Sequence, residues 1–192
     1  MRIIAGSLRG RRLVPVRGRL RPTSDRVREA IFNILGPLVA EAQVLDLFAG
    51  TGALSFEALS RGAGAAVLVE EHPASLAILR RNLEILDLAP KAHIVPLPVH
   101  TALKKLAAQG PNFGLAFLDP PYETGLAARS LRQLLDAAVL LPGAYVVSEH
   151  SCREVLPAAL KNLRLIDSRR YGDTQVSFYT LDKPPNPQEF AG

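Results

Sequence analysis

The feature that most constrains the fold is a short apolar run that ends at a carboxylate and two prolines. The run Leu115-Ala116-Phe117-Leu118 leads directly into Asp119-Pro120-Pro121-Tyr122. A short apolar run of this kind predicts a buried parallel strand, and two prolines can continue neither a helix nor a central strand ladder. The backbone therefore stiffens at the edge where an open α/β sheet binds its ligand, beyond the carboxyl ends of the strands.

The same residues carry groups that suit a flat base with an exocyclic amino group. Asp119 and the carbonyl of Pro120 can accept hydrogen bonds from such an amino group, and Tyr122 can stack on the base. Asp-Pro and Pro-Pro are also common in simple turns. The motif alone leaves both interpretations open, and other parts of the chain decide between them.

A glycine-containing turn follows the first predicted strand. Val44-Leu45-Asp46-Leu47 predicts that strand, and Phe48-Ala49-Gly50-Thr51-Gly52 predicts a turn into a helix. Its two glycines permit a tight turn and the close approach of a ligand. Ser55 stands at the third glycine position of the dinucleotide fingerprint, and no Gly-Lys-Ser/Thr follows, so neither that fingerprint nor a phosphate loop is present. What remains can hold a ligand with a charged amino group through Asp46.

An acidic residue follows the second predicted strand, Ala66-Val67-Leu68-Val69. Glu70 lies about 20 residues past the glycine turn, where a ribose diol is usually held. A solvated strand end is the alternative, and the matching glycine turn favours ribose binding. Glu71 is a reserve candidate for the same role.

Strand and helix patterns alternate along the rest of the chain and then give way to a hairpin. Helices are predicted over 73–86, 101–108 and 125–140, parallel strands over 93–97, 115–118 and 144–148, and antiparallel strands over 163–171 and 174–181. The pattern predicts an α/β fold, a doubly wound and mostly parallel sheet with a C-terminal antiparallel hairpin strand. Its ligand is expected at the switch point of the sheet.

Arginine is concentrated at the N-terminus, where nine arginines and one acidic residue, Asp25, lie within the first 28 residues. The planar guanidinium suits phosphate oxygens and stacks on bases, so nucleic-acid binding is favoured over a solvated tail. Alternating apolar residues predict a short hairpin around Gly6 or Gly10. The arginines expected to contact nucleic acid are Arg2, Arg9, Arg11, Arg12, Arg17, Arg19 and Arg21.

Composition excludes several other classes of protein. The 192 residues carry a net charge of +5 and are 48% hydrophobic, which fits one domain with a small basic extension. The apolar runs are shorter than a membrane span, and the basic start lacks the apolar stretch of a signal peptide. Cys152 and four scattered histidines show no metal-ligand spacing. We expect a cytoplasmic protein without a bound metal.

Taken together, these positions resemble the class I S-adenosylmethionine-dependent methyltransferases. Val44–Gly52 matches the cofactor loop of that superfamily, and Glu70 its ribose acid. Asp119–Tyr122 matches the Asn/Asp-Pro-Pro-aromatic motif of enzymes that methylate exocyclic amino nitrogens of bases or glutamine amides. The chain is similar, more narrowly, to the RsmD-like 16S rRNA (guanine-N2)-methyltransferases of bacteria. Further stretches carry that similarity: 1–6, 21–30 and 170–174.

The resemblance implies methyl transfer from S-adenosyl-L-methionine to N2 of one guanine of 16S rRNA, with S-adenosyl-L-homocysteine as the other product. It implies that the chain acts on 16S rRNA in the 30S subunit or in an assembly intermediate. Oligomeric state is open, and a monomer is expected because no sequence feature demands more. The implied catalytic residues are Asp119, Pro120, Pro121 and Tyr122. The implied cofactor-binding residues are Thr23, Asp46, Phe48, Ala49, Gly50, Thr51, Gly52, Glu70, Glu71 and Asp119.

Two segments leave questions open. Arg21-Pro22-Thr23 is expected both to begin a helix and to close over the methionine end of the cofactor. Val99-His100-Thr101 stands where the family usually has an acid that grips the adenine, so side-chain recognition of the adenine at that position is in question.

The chain is expected to divide into three parts. These are a basic hairpin and helix over 1–36, a methyltransferase domain over 37–182 and a tail over 183–192. Guanine-N2 methylation has three alternatives: adenine-N6 methylation, glutamine-amide methylation, and a catalytically inactive RNA-binding module that aids ribosome assembly. Replacement of Asp119 by alanine discriminates the last of these, because an enzyme loses turnover far more than RNA affinity.

Overall fold

The computed structural model describes residues 1–15, 24–109 and 113–182. In these residues one sheet of eight strands is flanked by five helices and a 3-10 turn at Gly36–Val39. The strands are β1 (Gln43–Asp46), β2 (Ala65–Val69), β3 (Ala92–Val95), β4 (Phe113–Leu118), β5 (Leu140–Ser151), β6 (Ala159–Leu160), β7 (Leu163–Tyr171) and β8 (Thr174–Leu181). The helices are α1 (Asp25–Leu35), α2 (Ala53–Ser60), α3 (Pro73–Leu86), α4 (Val99–Ala107) and α5 (Leu126–Ala137).

The strand order is β3-β2-β1-β4-β5-β8-β7-β6. The first five strands pair in parallel, whereas β8 is antiparallel to β5 and β7 is antiparallel to β8. The chain proceeds outward from β1 in one direction through β2 and β3, and then resumes at β4 on the other side of β1. The predicted doubly wound, mostly parallel sheet is confirmed, and its switch point lies between β1 and β4.

The apolar strands are buried on both faces of the sheet, which is why their sequences are continuous apolar runs. Helices α1, α2 and α3 pack on one face, in a core that includes Phe32, Phe56 and Phe117. Helices α4 and α5 pack on the other face, around Leu103 and Leu131. Alternate residues of each central strand therefore belong to different cores.

The N-terminal residues form the hairpin that their alternation predicts. Arg2 and Arg12 are bridge partners, and the backbone N–H of Ile3 donates to the carbonyl of Arg11 at 2.9 Å. Ile3 and Leu13 are buried in the same core as α1 and α2. All eight residues of α2 are buried, because the helix packs in this core and the hairpin bonds to its polar residues Glu57 and Ser60. Arg28, counted at the sequence level in the basic cluster, is fully buried in α1 and pairs with Asp25.

The largest departure from the predicted elements is in β5, which was expected to start at Ala144 after a turn. The strand instead begins at Leu140 and continues through Pro142-Gly143 to Ser151. The chain passes these residues because the register with β4 shifts between Phe113 and Leu115, and Gly143 has a φ of 78°. Such a bulge keeps the strand in the sheet where proline would interrupt a regular ladder.

Candidate active site at the carboxyl edge of the sheet

Asp46 ends β1 and is almost completely buried, with 1% of its surface exposed. The hydroxyl of Ser55 donates to its Oδ2 at 2.8 Å, and the backbone N–H of Phe48 lies 3.4 Å from its Oδ1. In the sequence, Ser55 stands at the third glycine position of the dinucleotide fingerprint. In the structure, its hydroxyl orients the carboxylate of Asp46.

The turn Phe48–Gly52 connects β1 to α2 and is fixed by its backbone. The Ala49 N–H donates to the carbonyl of Val69 at 3.0 Å, which ties the turn to β2. Gly52 has a φ of +82°, and a Cβ there would lie 2.3 Å from the ring of Phe56. Glycine is therefore required at this position by both its backbone conformation and its neighbours.

Glu70, which follows β2, holds the same turn from the other side. Its Oε2 accepts from the N–H of Gly50 at 2.9 Å, and its Oε1 accepts from the N–H of His72 at 2.8 Å. The side chain is buried, whereas Glu71 is exposed. Each carboxylate oxygen has a second lone pair, so Glu70 can support the turn and also accept hydroxyl groups of a ligand.

Asp119–Tyr122 begins where β4 ends, next to the turn that follows β1. Pro120 is buried and Pro121 is exposed, while Asp119 and Tyr122 are half-buried. Because Asp46 and Phe117 are register partners, the motif and the glycine turn emerge side by side from neighbouring strands. The structure thus brings Asp46, Glu70 and Asp119 to one edge of the sheet.

The hydroxyl of Tyr122 is fixed by two buried side chains. It donates to Oε1 of Glu149 in β5 at 2.7 Å and lies 2.8 Å from the hydroxyl of Thr174 in β8. Burial, together with the carboxylates of Glu149 and Asp119, raises the pKa of Tyr122 well above its ordinary value. The hydroxyl therefore stays protonated and acts as a donor. Its partners in β5 and β8, Glu149 and Thr174, fix the orientation of the ring.

A cleft of about 530 Å³ lies beside this network. The start of α1 forms one wall, with Ser24, Arg26 and Val27, and the turn between β7 and β8 forms the other. Glu149 and Thr174 line the cleft and also bind the Tyr122 hydroxyl, so the cleft borders the side chains that hold the motif's tyrosine. The volume is that of a small-molecule or single-base site.

The predicted RNA-contacting arginines divide into two groups. Arg2, Arg9, Arg11 and Arg12 are exposed on the hairpin, and the guanidinium of Arg11 also donates to the carbonyl of Ile85. The remaining ones, Arg17, Arg19 and Arg21, lie outside the described residues, as do Thr23 and the tail 183–192.

Two buried polar residues that sequence reasoning missed attach the hairpin to the site. Both oxygens of Glu57 accept backbone N–H groups of the hairpin, from Ile4 at 2.7 Å and Ala5 at 3.0 Å. The side-chain amide of Asn82 donates to the carbonyls of Val14 and Thr51, both at 3.0 Å. Asn82 thus links the N-terminal segment to the glycine turn. In sequence, each is an ordinary polar residue of a helix, so its only signal would have been a polar residue on a buried face.

Val99, His100 and Thr101 lie in the first turn of α4. The Nε2 of His100 is 3.0 Å from the hydroxyl of Thr101, at an exposed position. In the described parts of the chain, no helix is long and apolar enough to cross a membrane, and no cluster of three or more His, Cys, Asp or Glu could hold a metal ion.

Comparison with known proteins agrees with this geometry. "Ribosomal RNA small subunit methyltransferase D" of Escherichia coli is 39% identical over 180 residues, which cover 93% of this chain and 89% of the relative. The solved structure of yhhF from Escherichia coli is 38% identical with a TM-score of 0.84, covering 96% of this chain and 99% of that one.

A more distant structure shares the fold alone. It is an RNA methyltransferase from Salinibacter ruber in complex with S-adenosyl-L-homocysteine, with a TM-score of 0.65 at 18% identity, covering 87% of this chain and 97% of that one. The model of the family described as Conserved hypothetical protein 95 matches residues 1–180. The chain therefore belongs to that family, the RsmD-like methyltransferases that its motifs resemble, and has the fold of a class I methyltransferase.

Proposed function

We propose that this chain transfers a methyl group from S-adenosyl-L-methionine to N2 of a guanine in 16S rRNA. The observation that carries the proposal is the match to one family over residues 1–180, which include the hairpin, the glycine turn and the Asp119–Tyr122 motif. A relative of 39% identity is named for methylation of small-subunit ribosomal RNA. The choice of guanine N2 comes from the motif, because an aspartate, a proline carbonyl and a tyrosine suit an exocyclic amino group.

The residues at the carboxyl edge fit the cofactor by the chemistry of their polar atoms. S-adenosyl-L-methionine supplies an electrophilic methyl group on its sulfonium. Glu70 would accept the ribose hydroxyls, Asp46 would take the ammonium, and the turn Phe48–Gly52 would lie against the ligand. Glu71 is exposed beside Glu70 and remains the reserve candidate. The hydrogen bonds from Ser55 to Asp46 and from Gly50 to Glu70 hold both carboxylates in place before any ligand binds.

The motif residues would hold and activate the acceptor nitrogen. The N2 amino group of guanine is a weak nucleophile because its lone pair is delocalised into the ring. Asp119 and the carbonyl of Pro120 would accept its two N–H groups, which orients the nitrogen and favours its change towards tetrahedral geometry. Asp119 would take a proton as positive charge develops on the nitrogen. Pro121 keeps the loop rigid, and Tyr122 would stack on the base.

The exposed arginines of the hairpin would bind phosphates of the rRNA and position the base. Arg2, Arg9, Arg11 and Arg12 carry this role among the described residues, and the proposal extends to Arg17, Arg19 and Arg21. Contacts of this kind make the affinity salt-dependent without reading sequence. The substrate would be 16S rRNA in the 30S subunit or in an assembly intermediate, in the cytoplasm. The chain would act as a monomer, in which residues 1–36 form the RNA-binding extension, residues 37–182 the methyltransferase domain and residues 183–192 a tail.

The test is to replace Asp119 by alanine and to measure turnover and RNA affinity separately. An enzyme that uses Asp119 on the acceptor nitrogen should lose about 100-fold or more in kcat, as is usual for a positioned acid–base group, while its affinity for 30S particles changes little. Arg129→Ala, at an exposed position on the nearby helix α5, is the matched control and should retain both. Equal turnover in the Asp119 variant would refute the proposed role.

A further inference from the structure

Glu149, whose carboxylate accepts a hydrogen bond from the Tyr122 hydroxyl, has no role in the proposed mechanism. Glu149 is 5% exposed, in the interior of β5, and it lines the cleft of about 530 Å³. A buried carboxylate is costly unless it is paired, so a position of this kind is usually kept for structure or for a ligand. The hydrogen bond from Tyr122 is one of the interactions of Glu149, and a carboxylate offers about four acceptor positions.

The sheet places Glu149 beside the catalytic motif. Leu118 of β4 and Ser148 of β5 are register partners, so the next residues, Asp119 and Glu149, continue neighbouring parallel strands about 4.8 Å apart. Both carboxylates act on the same tyrosine hydroxyl, since each raises the pKa of Tyr122. Two acceptors therefore follow neighbouring strands, next to the tyrosine that is proposed to stack on the base.

A guanine offers two adjacent donors to such a pair. Its N2 amino group and its ring N1–H lie next to each other on one edge, whereas adenine carries an unprotonated N1 that repels a carboxylate. We propose that Glu149 selects guanine by accepting the hydrogen bond of N1–H, while Asp119 and Pro120 hold N2. This inference rests on the proposed function and adds to it the residue that distinguishes the base.

The rim of the same cleft suits the backbone of a nucleotide that has been turned out of its stack. Arg26 and Arg170 are exposed on opposite walls. The Nε of Arg170 donates to the carbonyl of Gly172 at 2.9 Å, which fixes the guanidinium to the turn between β7 and β8. The exposed residues that line the cleft thus include two cations and the carboxylate of Asp173, with Glu149 at depth. The two guanidinium groups suit a phosphate at the rim, and Glu149 suits a base edge inside.

The test uses a base that keeps the acceptor nitrogen but changes N1. Reconstituted 30S particles would carry either guanosine or 2-aminopurine at the target position, which is first located by labelling with the wild-type protein. 2-Aminopurine retains the 2-amino group, and its N1 is an unprotonated acceptor. The wild-type protein should prefer guanosine by about 10- to 100-fold in kcat/KM, the range for one hydrogen bond to a charged group.

The variant Glu149→Gln should lower that ratio at least tenfold, because the glutamine amide can donate to the unprotonated N1 and can still accept from Tyr122. 2-Aminopurine also lacks the 6-oxygen of guanine, but this difference is the same for the wild-type protein and the variant. The change in the ratio between the two proteins therefore reports on N1. Tyr122→Phe is the control: it removes the hydroxyl and keeps the carboxylate, so both rates should fall and their ratio should stay.

Three results would overturn the inference. These are a wild-type protein without preference for guanosine, a ratio that Glu149→Gln leaves unchanged, and a ratio that Tyr122→Phe lowers as much as Glu149→Gln does. The last two would leave Glu149 as a residue that only positions the tyrosine. A wild-type protein that methylates no guanine would refute the proposed function itself, which separates the two failures.

Discussion

Two glycines of the N-terminal hairpin provide a matched test of how the hairpin is attached. Gly6 and Gly10 have almost the same left-handed φ, +82° and +83°. A Cβ on Gly6 would lie 1.8 Å from the backbone oxygen of Ser60, whereas a Cβ on Gly10 would meet nothing within 4 Å. Replacing each by alanine therefore adds the same backbone strain and differs only in the collision with α2.

The expected magnitudes follow from the contacts. Alanine at a left-handed position costs about 1 kcal/mol, and this is the whole expected effect of Gly10→Ala. Gly6→Ala must in addition move the hairpin away from Ser60. Besides a longer hydrogen bond of 3.3 Å from the Ser7 hydroxyl, three shorter ones join Ser60 to the hairpin: Ser7 N–H to the Ser60 carbonyl at 2.8 Å, Leu8 N–H to its hydroxyl at 2.9 Å, and that hydroxyl to the Ala5 carbonyl at 2.6 Å. At about 1 kcal/mol each, the total for Gly6→Ala is about 4 kcal/mol.

Urea unfolding of both variants measures this difference, and trypsin reports the local event. The displaced hairpin of Gly6→Ala should be cut at Arg9, Arg11 or Arg12 faster than that of Gly10→Ala. RNA affinity should fall with it. Equal unfolding free energies and equal cleavage rates for the two variants would refute the docking of the hairpin on α2.

Three further outcomes are expected. Asn82→Asp replaces a donor between two carbonyls by an acceptor and should lower the unfolding free energy by about 2–5 kcal/mol. The control Arg81→Ala, at an exposed neighbour, should lower it by less than about 0.5 kcal/mol. Similar losses in the two variants would contradict the link between hairpin and turn. Tyr122→Phe should lower kcat about 10- to 100-fold with RNA affinity retained, because Glu149 and Thr174 no longer orient the ring; an unchanged kcat would contradict this. Burial lowers the pKa of His150 below 6.5, so the unfolded chain binds more protons than the folded one. The stability of the wild-type protein, measured by urea unfolding, should therefore fall as the pH drops below about 6.5. His150→Gln should flatten this dependence, and the same pH dependence in both proteins would contradict it.

The central part of the fold could be predicted because each signal was local. The helix Pro73–Leu86 and the strands Leu163–Tyr171 and Thr174–Leu181 have the predicted bounds. Their apolar spacing is regular, and proline or glycine marks an end. The turn at Gly50 and the carboxylates that end β1 and follow β2 and β4 were likewise identified from residue types next to apolar runs.

The parts that could not be predicted depend on contacts between distant segments. Glu57 and Ser60 look like the polar face of an amphipathic helix, yet all of α2 is buried because the hairpin covers that face. Phe32 of α1 lies against Phe117 with ring centroids 5.8 Å apart, a contact between segments that are distant in the sequence. Glu149 follows the strand predicted over 144–148, and nothing local shows that β5 continues to Ser151 with β8 paired alongside it.

The most direct test of the central claim is the identity of the methylated nucleoside. The protein would be incubated with S-adenosyl-L-methionine labelled in its methyl group and with 30S particles that lack the modification, and the rRNA would be digested to nucleosides. The account predicts label in N2-methylguanosine. Label in N6-methyladenosine, or no label in RNA while the cofactor still binds, would contradict it.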